Sequence, residues 1–223
     1  MPGADRVVEP ARETPVRDAW DVVVCGGGPA GVAAAIASAR AGARTRLLEM
    51  HGQLGGIWTT GLLSWILDCD NKSGIMAEIV REIERREAGR KARGRNVICD
   101  VEEMKLLLED LALGAGVQVR LHTRVCGVLR DQAGRLTHVI TESKSGREAW
   151  SGRVFVDATG DGDVAALGVD DRFVVANMGV EMGAKIAVFP VDGTTREYLR
   201  GIGLGPKDYE EAWADPDARY ART

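Results

Sequence analysis

The sequence has few of the features that mark secreted, metal-binding or membrane proteins. Its four cysteines are far apart and form no C-x-x-C pair, which disfavours a disulfide framework or a zinc site. The first 18 residues alternate charge with proline and contain no apolar core of a signal peptide. No apolar run approaches the length of a membrane span. We therefore expect no metal site, no contact with a membrane, and a cytoplasmic location.

Excess positive charge is also absent. Lys and Arg number 29 against 33 Asp and Glu, which gives a formal net charge of -4. Basic residues are not interleaved with aromatic ones, so the sequence offers no surface typical of nucleic-acid binding. A hydrophobic content of 45% is ordinary for a globular core. The expected partner is a small-molecule substrate of unknown identity, and the oligomeric state, a homo-oligomer included, stays open.

The stretch Asp21–Gly31 predicts a buried strand that runs into a glycine turn. Its first residues are apolar and β-branched, as in a strand covered on both faces. Gly26, Gly28 and Gly31 then give the pattern G-x-G-x-x-G. The first glycine permits the tight turn, the second lets a pyrophosphate approach the backbone, and the third lets helix and strand pack closely.

An alanine-rich helix, predicted over 30–41, follows this turn. The free amides at its start, which begin at Ala30 directly after Pro29, and the dipole of the helix would stabilise phosphate charge. Arg44–Leu48 predicts a second strand, and Glu49 closes it near the spacing expected for an acid that binds ribose. The alternative is a tight turn with an unrelated surface glutamate. The strand–turn–helix context favours a bound dinucleotide.

Two further glycine-rich segments extend this interpretation. The loop Met50–Gly61 contains Gly55 and Gly56, and we expect it to face the cofactor rather than to be a mobile surface loop. A short strand over 154–156 runs into the segment 157–163, which contains Gly160 and Asp161. Such a turn offers a second set of backbone amides to a phosphate or a flavin side chain. The acids of that segment could instead serve only as turn and cap residues.

The remaining pattern predicts an α/β fold, a Rossmann-like domain with a parallel sheet and a three-stranded antiparallel β-meander. A small C-terminal α/β appendage completes it. Apolar periodicity predicts two helices, an N-cap at Asp100 for the second, and a strand after it. Three antiparallel strands follow. The predicted bounds are Gly74–Arg93 and 100–113 for the helices, Val117–Leu121 for the strand, and Thr123–Arg130, Arg135–Glu142 and Arg147–Ser151 for the meander.

Taken together, these motifs resemble the FAD-dependent oxidoreductases of the glutathione-reductase-like flavoprotein superfamily, over about residues 20–168. The resemblance implies FAD as the cofactor and a Rossmann-like domain over 19–169 that lacks the later part of such proteins. It assigns the pyrophosphate to the first glycine turn, the adenosine ribose to Glu49 and the adenine to the backbone of Val125. It also implies that Gly55 and Gly56 run beside the pyrophosphate and ribityl chain, and that Gly160 and Asp161 approach them. No catalytic residue can be assigned.

Residues 170–223 resemble another family, the aconitase superfamily, and within it the large subunits of isopropylmalate and homoaconitate dehydratases. Asn177 and Glu181 are four residues apart, so they would project from one face of a helix. The resemblance implies that they line an iron–sulfur site, but residues 170–223 contain no cysteine to hold a cluster. An exposed polar helix face is the simpler interpretation of this pair.

The sequence therefore predicts three segments, a polar arm over 1–18, the FAD-binding domain over 19–169 and an aconitase-like segment over 170–223. If the chain is complete, we expect an FAD-dependent oxidoreductase with an unknown substrate. Two alternatives stay open. One is a hydro-lyase fragment of the aconitase superfamily, and the other is a non-catalytic dinucleotide-binding remnant.

Overall fold

A computed structural model of the chain describes residues 10–160 together with 162, 164, 195, 196, 199, 200, 205 and 206. The chain divides into two compact units, Met1–Val164 and Ala165–Thr223. All the strands and helices considered below belong to the first unit. The predicted C-terminal appendage, including Asn177 and Glu181, and the predicted cofactor residue Asp161 lie outside the described residues.

The described elements alternate strands and helices and then end in a run of strands. In chain order they are β1 (Val16–Cys25), α1 (Pro29–Arg40), β2 (Thr45–Leu48), a 3-10 helix (Gly56–Trp58), β3 (Trp65–Ile66), α2 (Gly74–Arg85), β4 (Gly89–Lys91), β5 (Val97–Cys99), α3 (Val101–Gly114), β6 (Gln118–Arg120), β7 (Arg124–Arg130), β8 (Leu136–Ser143) and β9 (Gly146–Asp157).

Six strands form the main sheet in the order β6-β2-β1-β9-β8-β7. The strands β6, β2, β1 and β9 are parallel, whereas β9, β8 and β7 form an antiparallel meander. This arrangement confirms the predicted Rossmann-like sheet and the predicted meander. A separate three-stranded sheet, β3-β5-β4, was not foreseen.

Strand β9 belongs to both parts of the main sheet, and here the prediction was wrong. The sequence indicated two strands, 147–151 and 154–156, but a single strand runs from Gly146 to Asp157. Its first half pairs with β8, and from Ala149 onward it pairs with β1. The early part of β1, from Val16 to Trp20, supplies the ladder partners that keep the polar middle of β9 extended.

Strand β1 starts at Val16, within the stretch predicted as a polar arm. The carbonyl of Pro15 accepts a hydrogen bond from the Ala149 amide at 2.9 Å. The guanidinium of Arg17 pairs with the buried carboxylate of Glu148 at 2.7 Å. These contacts attach the end of the arm to the sheet.

Side chains of β1 alternate between two packed layers. Val22 and Val24 belong to the apolar cluster that contains residues of α1, α2 and α3. Val23 and Cys25 belong to the cluster on the other face, which contains residues of the meander. A parallel strand covered on both faces needs this continuous apolar run. At the carboxyl ends of the parallel strands lie the loops that follow each strand.

The two longer helices after β2 differ in how well the sequence predicted them. Helix α3 starts as expected, because Asp100 accepts hydrogen bonds from the amides of Glu102 and Glu103 at 2.8 and 3.1 Å. Helix α2 ends at Arg85 rather than at residue 93. Glu87 adopts the left-handed conformation, with φ of 54°, and turns the chain into β4.

Candidate cofactor site

Three loops start at the same edge of the main sheet. Cys25, at the end of β1, is level with Leu48 of β2 and with Asp157 of β9. The Gly26 amide donates to the Leu48 carbonyl at 2.8 Å, and the Ala158 amide donates to the Cys25 carbonyl at 2.8 Å. In open α/β sheets, ligands bind in the crevice outside the carboxyl ends of the strands. The sequence motifs are thus brought together where this fold places a ligand.

The first glycine turn gives each glycine a different environment. Gly26 has φ of 101°, and an added Cβ there would lie 2.1 Å from the Ala158 carbonyl oxygen. An added Cβ at Gly31 would lie 1.8 Å from the Gly26 carbonyl oxygen. At Gly28, in contrast, an added Cβ would have no atom of the described residues within 4 Å. The outer glycines are required by packing, whereas the middle one faces open space.

Helix α1 presents uncapped amides beside that open space. Gly28 is its N-cap residue and Pro29 its first residue, and no side chain caps the helix. The first turn also contains no acidic residue. The first amides of a helix have no partner within the helix, and its dipole favours negative charge at this end. This start of α1 is therefore suited to an anion such as a phosphate.

Glu49 is buried, with 4% of its surface exposed. One carboxylate oxygen accepts a hydrogen bond from the Gly27 amide at 2.5 Å, and the other accepts from the His51 amide at 2.7 Å. The carboxylate thus fixes the glycine turn to the end of β2, a role that the sequence did not indicate. Each carboxylate oxygen has a second lone pair, so these bonds are compatible with hydroxyl donors from a ribose.

The loop with Gly55 and Gly56 lies directly on the first glycine turn. The Gly55 amide donates to the Gly27 carbonyl at 2.7 Å. An added Cβ at Gly56 would lie 2.9 Å from the Cα of Gly28. Thr59 anchors the loop, since its buried hydroxyl donates to the Leu54 carbonyl at 2.6 Å. The structure therefore brings these two predicted residues to the turn.

The second glycine turn is organised by Asp157. One of its carboxylate oxygens accepts from the amide and the hydroxyl of Thr159, at 3.1 and 2.8 Å, and the other accepts from the Val164 amide at 3.0 Å. Asp157 thus has the turn-stabilising role that the sequence left as an alternative. Gly160 has φ of 87°, and an added Cβ there would meet none of the described atoms within 4 Å.

Val125 is farther from these loops along the sheet. It lies in β7, opposite Thr141 of β8, with a side chain that is 6% exposed. That side chain belongs to the packed cluster that also contains Cys25 and Leu48, so only the backbone of Val125 is left to contact a ligand.

Cys25, in the same cluster, is not a reactive thiol. Burial raises the pKa of the Cys25 thiol well above its usual range, which makes this cysteine inert at neutral pH.

The candidate site is formed by loops at the carboxyl edge of the main sheet and is not a closed cavity. A surface groove of about 360 Å³ lies elsewhere, between the N-terminal segment and the meander. None of the predicted cofactor residues lines it, so the glycine turns, and not the volume of a groove, locate the site. The groove is lined by Arg12, Thr14, Val16, Leu129, His138, Ile140, Arg147 and Ala149.

Among the helices of the described residues, none is both long and apolar enough to cross a membrane.

Curated proteins similar to this chain are large subunits of dehydratases. The 2,3-dimethylmalate dehydratase large subunit of Eubacterium barkeri is 46% identical over 68 residues, which are 30% of this chain and 16% of that protein. The 3-isopropylmalate dehydratase large subunit of Clostridium kluyveri is 44% identical over 68 residues, with the same coverage of 30% and 16%. The resemblance to this family is thereby confirmed, and the chain spans about 16% of the length of these relatives.

Two solved structures have a fold similar to that of this chain. Thermovibrio ammonificans THI4 superposes with a TM-score of 0.53 at 20% identity, over 75% of this chain and 64% of that one. The myxobacterial chondrochloren halogenase CndH, a variant of the FAD-dependent halogenases, gives a TM-score of 0.51 at 22% identity, over 64% of this chain and 38% of its own. At these identities the likeness concerns the fold.

A family model described as FAD dependent oxidoreductase matches residues 21–221. The match covers 201 of the 223 residues and leaves only 22 outside it. It therefore overlaps the dehydratase similarity, whose length is 68 residues. The glycine turns, the open space at Gly28 and the uncapped start of α1 fit the cofactor that this family uses. The chain belongs to the family of FAD-dependent oxidoreductases, and its cofactor is FAD.

Proposed function

We propose that this chain is the FAD-binding portion of an oxidoreductase that acts on a small molecule of unknown identity. The observation that carries the proposal is the meeting of three loops at the carboxyl edge of the parallel sheet, where Gly28 leaves open space beside the uncapped start of α1. Bound FAD supplies the redox chemistry through its isoalloxazine ring, and the protein supplies binding and orientation.

The chain's residues have separate roles in this proposal. The amides of Ala30 and Gly31, which follow Pro29 at the start of α1, and the open backbone at Gly28 hold the pyrophosphate. Glu49 accepts hydrogen bonds from the adenosine ribose while it keeps its bonds to the glycine turn. The backbone of Val125 contacts the adenine. The remaining proposed contacts, to the pyrophosphate, ribityl chain or ribitol, are Gly26, Gly55, Gly56, Gly160 and Asp161.

We also propose a functional boundary near residue 169, with an FAD-binding domain before it and a dehydratase-like segment after it. The similarity to dehydratase large subunits over 30% of the chain supports such a segment. Residues 127–223 contain no cysteine, and an iron–sulfur cluster is held by cysteine thiolates. We therefore favour an oxidoreductase function for this chain over a hydro-lyase function. The cytoplasmic location stays a prediction.

A comparison of cofactors tests the proposal. Purified protein is titrated with FAD and separately with NAD, and binding is followed by calorimetry, which needs no spectral change. We expect FAD to bind more tightly than NAD, because the second glycine turn at Gly160 is not needed by a plain dinucleotide-binding domain. Tighter binding of NAD would contradict the proposal.

Two further measurements separate the alternatives. If the chain is catalytic, bound flavin should be bleached by one donor in an anaerobic screen of candidate reductants. Flavin that binds but is reduced only by dithionite would favour the non-catalytic remnant. Iron–sulfur absorbance after anaerobic reconstitution, with hydratase activity, would favour the hydro-lyase fragment instead.

A further inference from the structure

His122 lies at the rim of the cofactor site in a conformation that side chains rarely adopt. It follows β6 and has φ of 52°, in the left-handed region that favours glycine. The His122 amide donates to the His51 carbonyl at 3.0 Å, and the Thr123 amide donates to the Glu49 carbonyl at 2.8 Å. These two bonds extend the pairing of β2 with β6 and hold His122 beside the segment that contains Glu49.

The imidazole of His122 rests on the backbone of Gly52. An added Cβ at Gly52 would lie 2.8 Å from Cε1 and 3.0 Å from Nε2 of the ring. A side chain at position 52 would therefore displace the imidazole. The loop after β2 and the loop after β6 thus meet through this ring, next to the buried carboxylate that the sequence assigns to the ribose.

Packing of the hydrophobic core does not explain the left-handed backbone of His122 or the position of its ring. His122 is exposed, and in the part of the chain that the structure describes neither ring nitrogen has a hydrogen-bond partner. Strained backbone at an exposed residue is typical of ligand clamps and other functional sites. An imidazole offers a donor and an acceptor to hydroxyl groups, and its flat face can stack on a base.

We infer that His122 is a cofactor-positioning residue that contacts the adenosine half of FAD and forms the adenosine end of the site together with Glu49. This inference rests on the proposed function. The strained backbone holds the ring in place before the cofactor binds, so less side-chain freedom is lost on binding. No sequence pattern indicated this role, because a histidine between two strands has no feature that predicts a left-handed residue.

The test compares His122→Gly with a matched control, Glu87→Gly. Glu87 is also exposed and left-handed, with φ of 54°, but it follows α2 and contributes to none of the loops at the site. Affinities for FAD and for ADP, which shares the adenosine and pyrophosphate, are measured by calorimetry, and stability is measured by urea unfolding. Both variants should show the same small change in stability, because each removes a left-handed side chain.

We expect His122→Gly to bind both FAD and ADP about fivefold to tenfold more weakly, as for the loss of a single hydrogen bond. Glu87→Gly should bind both like the wild type. His122→Asn, which tolerates the left-handed conformation and keeps a donor and an acceptor, should recover part of the affinity.

Three outcomes would overturn the inference. They are unchanged affinity of His122→Gly, a loss for FAD without a loss for ADP, and an equal loss in Glu87→Gly. Failure of the wild-type protein to bind FAD would refute the proposed function, and this inference would fall with it. That failure is seen before any variant is compared, so the two are distinguishable.

Discussion

Replacement of Gly28 by alanine should separate cofactor binding from folding. The residue has φ of -67° and ψ of -178°, which is extended backbone that any residue adopts. The new methyl group would meet none of the described atoms within 4 Å. It would project into the space that we assign to the pyrophosphate. The fold should therefore tolerate the substitution, whereas FAD should not.

The magnitudes follow from two opposing effects on folding and one effect on binding. Gly→Ala at a compatible position stabilises by about 0.4–1 kcal/mol through the unfolded state. Alanine is a poorer N-cap than glycine, which costs about the same. The net change in the free energy of unfolding should be within about 1 kcal/mol of zero. Forcing a methyl group against a bound phosphate costs about 1–3 kcal/mol, which is a factor of about 5 to 150 in Kd.

Gly31→Ala is the contrasting variant. Its methyl group would lie 1.8 Å from the Gly26 carbonyl oxygen and 3.1 Å from the Ala158 Cβ. Backbone must move to relieve such a contact, so we expect a loss of about 3 kcal/mol or more in the free energy of unfolding. At about 2–4 °C per kcal/mol for a chain of this size, Tm should fall by about 6–12 °C.

The assays are urea unfolding without cofactor and titration with FAD. Gly114→Ala serves as a control, because it lies at the end of α3 with open space around an added Cβ among the described residues. That control should be slightly more stable than the wild type and bind FAD equally well. If Gly28→Ala folded normally and bound FAD as tightly as the wild type, the pyrophosphate would not lie at Gly28.

Three further predictions concern individual side chains. Glu49→Ala should lower the free energy of unfolding by about 1–3 kcal/mol and weaken FAD binding, because the buried Gly27 amide and the partly buried His51 amide lose their acceptor; unchanged stability in urea would contradict this. The Arg40 guanidinium holds the pKa of Glu78 below its ordinary value through bonds of 2.6 and 2.7 Å. Because the folded pKa is the lower one, this stabilisation is present above the unfolded pKa of about 4.3 and is lost as pH falls through the folded pKa. Glu78→Gln should thus cost about 0.2–1 kcal/mol at pH 7 and little in strong acid, and a cost in urea unfolding that is independent of pH would refute the pairing. A thiol reagent should label only Cys126 in the native protein, since the other three cysteines are buried, and native labelling of more than one thiol per chain would count against the packing.

Local signals made much of the fold predictable. The apolar run of β1, the glycine turn and the alanine-rich α1 depend on neighbours in the chain, and the structure contains all three. The same holds for the cap of α3, where Asp100 serves the amides of its own first turn. The three strands of the meander were likewise predicted from the sequence. Each of these elements is specified within about a dozen residues.

The rest depends on contacts between distant segments. The strands β3, β4 and β5 have only two or three residues each, which is too short for any periodicity to show. The continuity of β9 requires the early part of β1 as a partner. Helix α2 ends early because Glu87 adopts a left-handed conformation that a glutamate rarely takes.

In the candidate site, too, some features follow from local sequence and others depend on contacts between distant segments. Its glycines and Glu49 were predicted from local sequence patterns and from the family resemblance. The structure brings those that it describes to one edge of the sheet. The bonds from Glu49 to the Gly27 and His51 amides could not be predicted. They depend on how β2 is placed beside β1, and spacing along the chain does not report that placement.

The most direct test of the account is the flavin content of the purified chain. The protein is incubated with excess FAD, freed of unbound cofactor by gel filtration, and examined by visible absorbance and by release of flavin on denaturation. We predict a flavin spectrum with close to one FAD per chain, and a much lower content in Gly28→Ala at equal stability. A wild-type protein that is folded by circular dichroism but carries no flavin after this treatment would contradict the central claim.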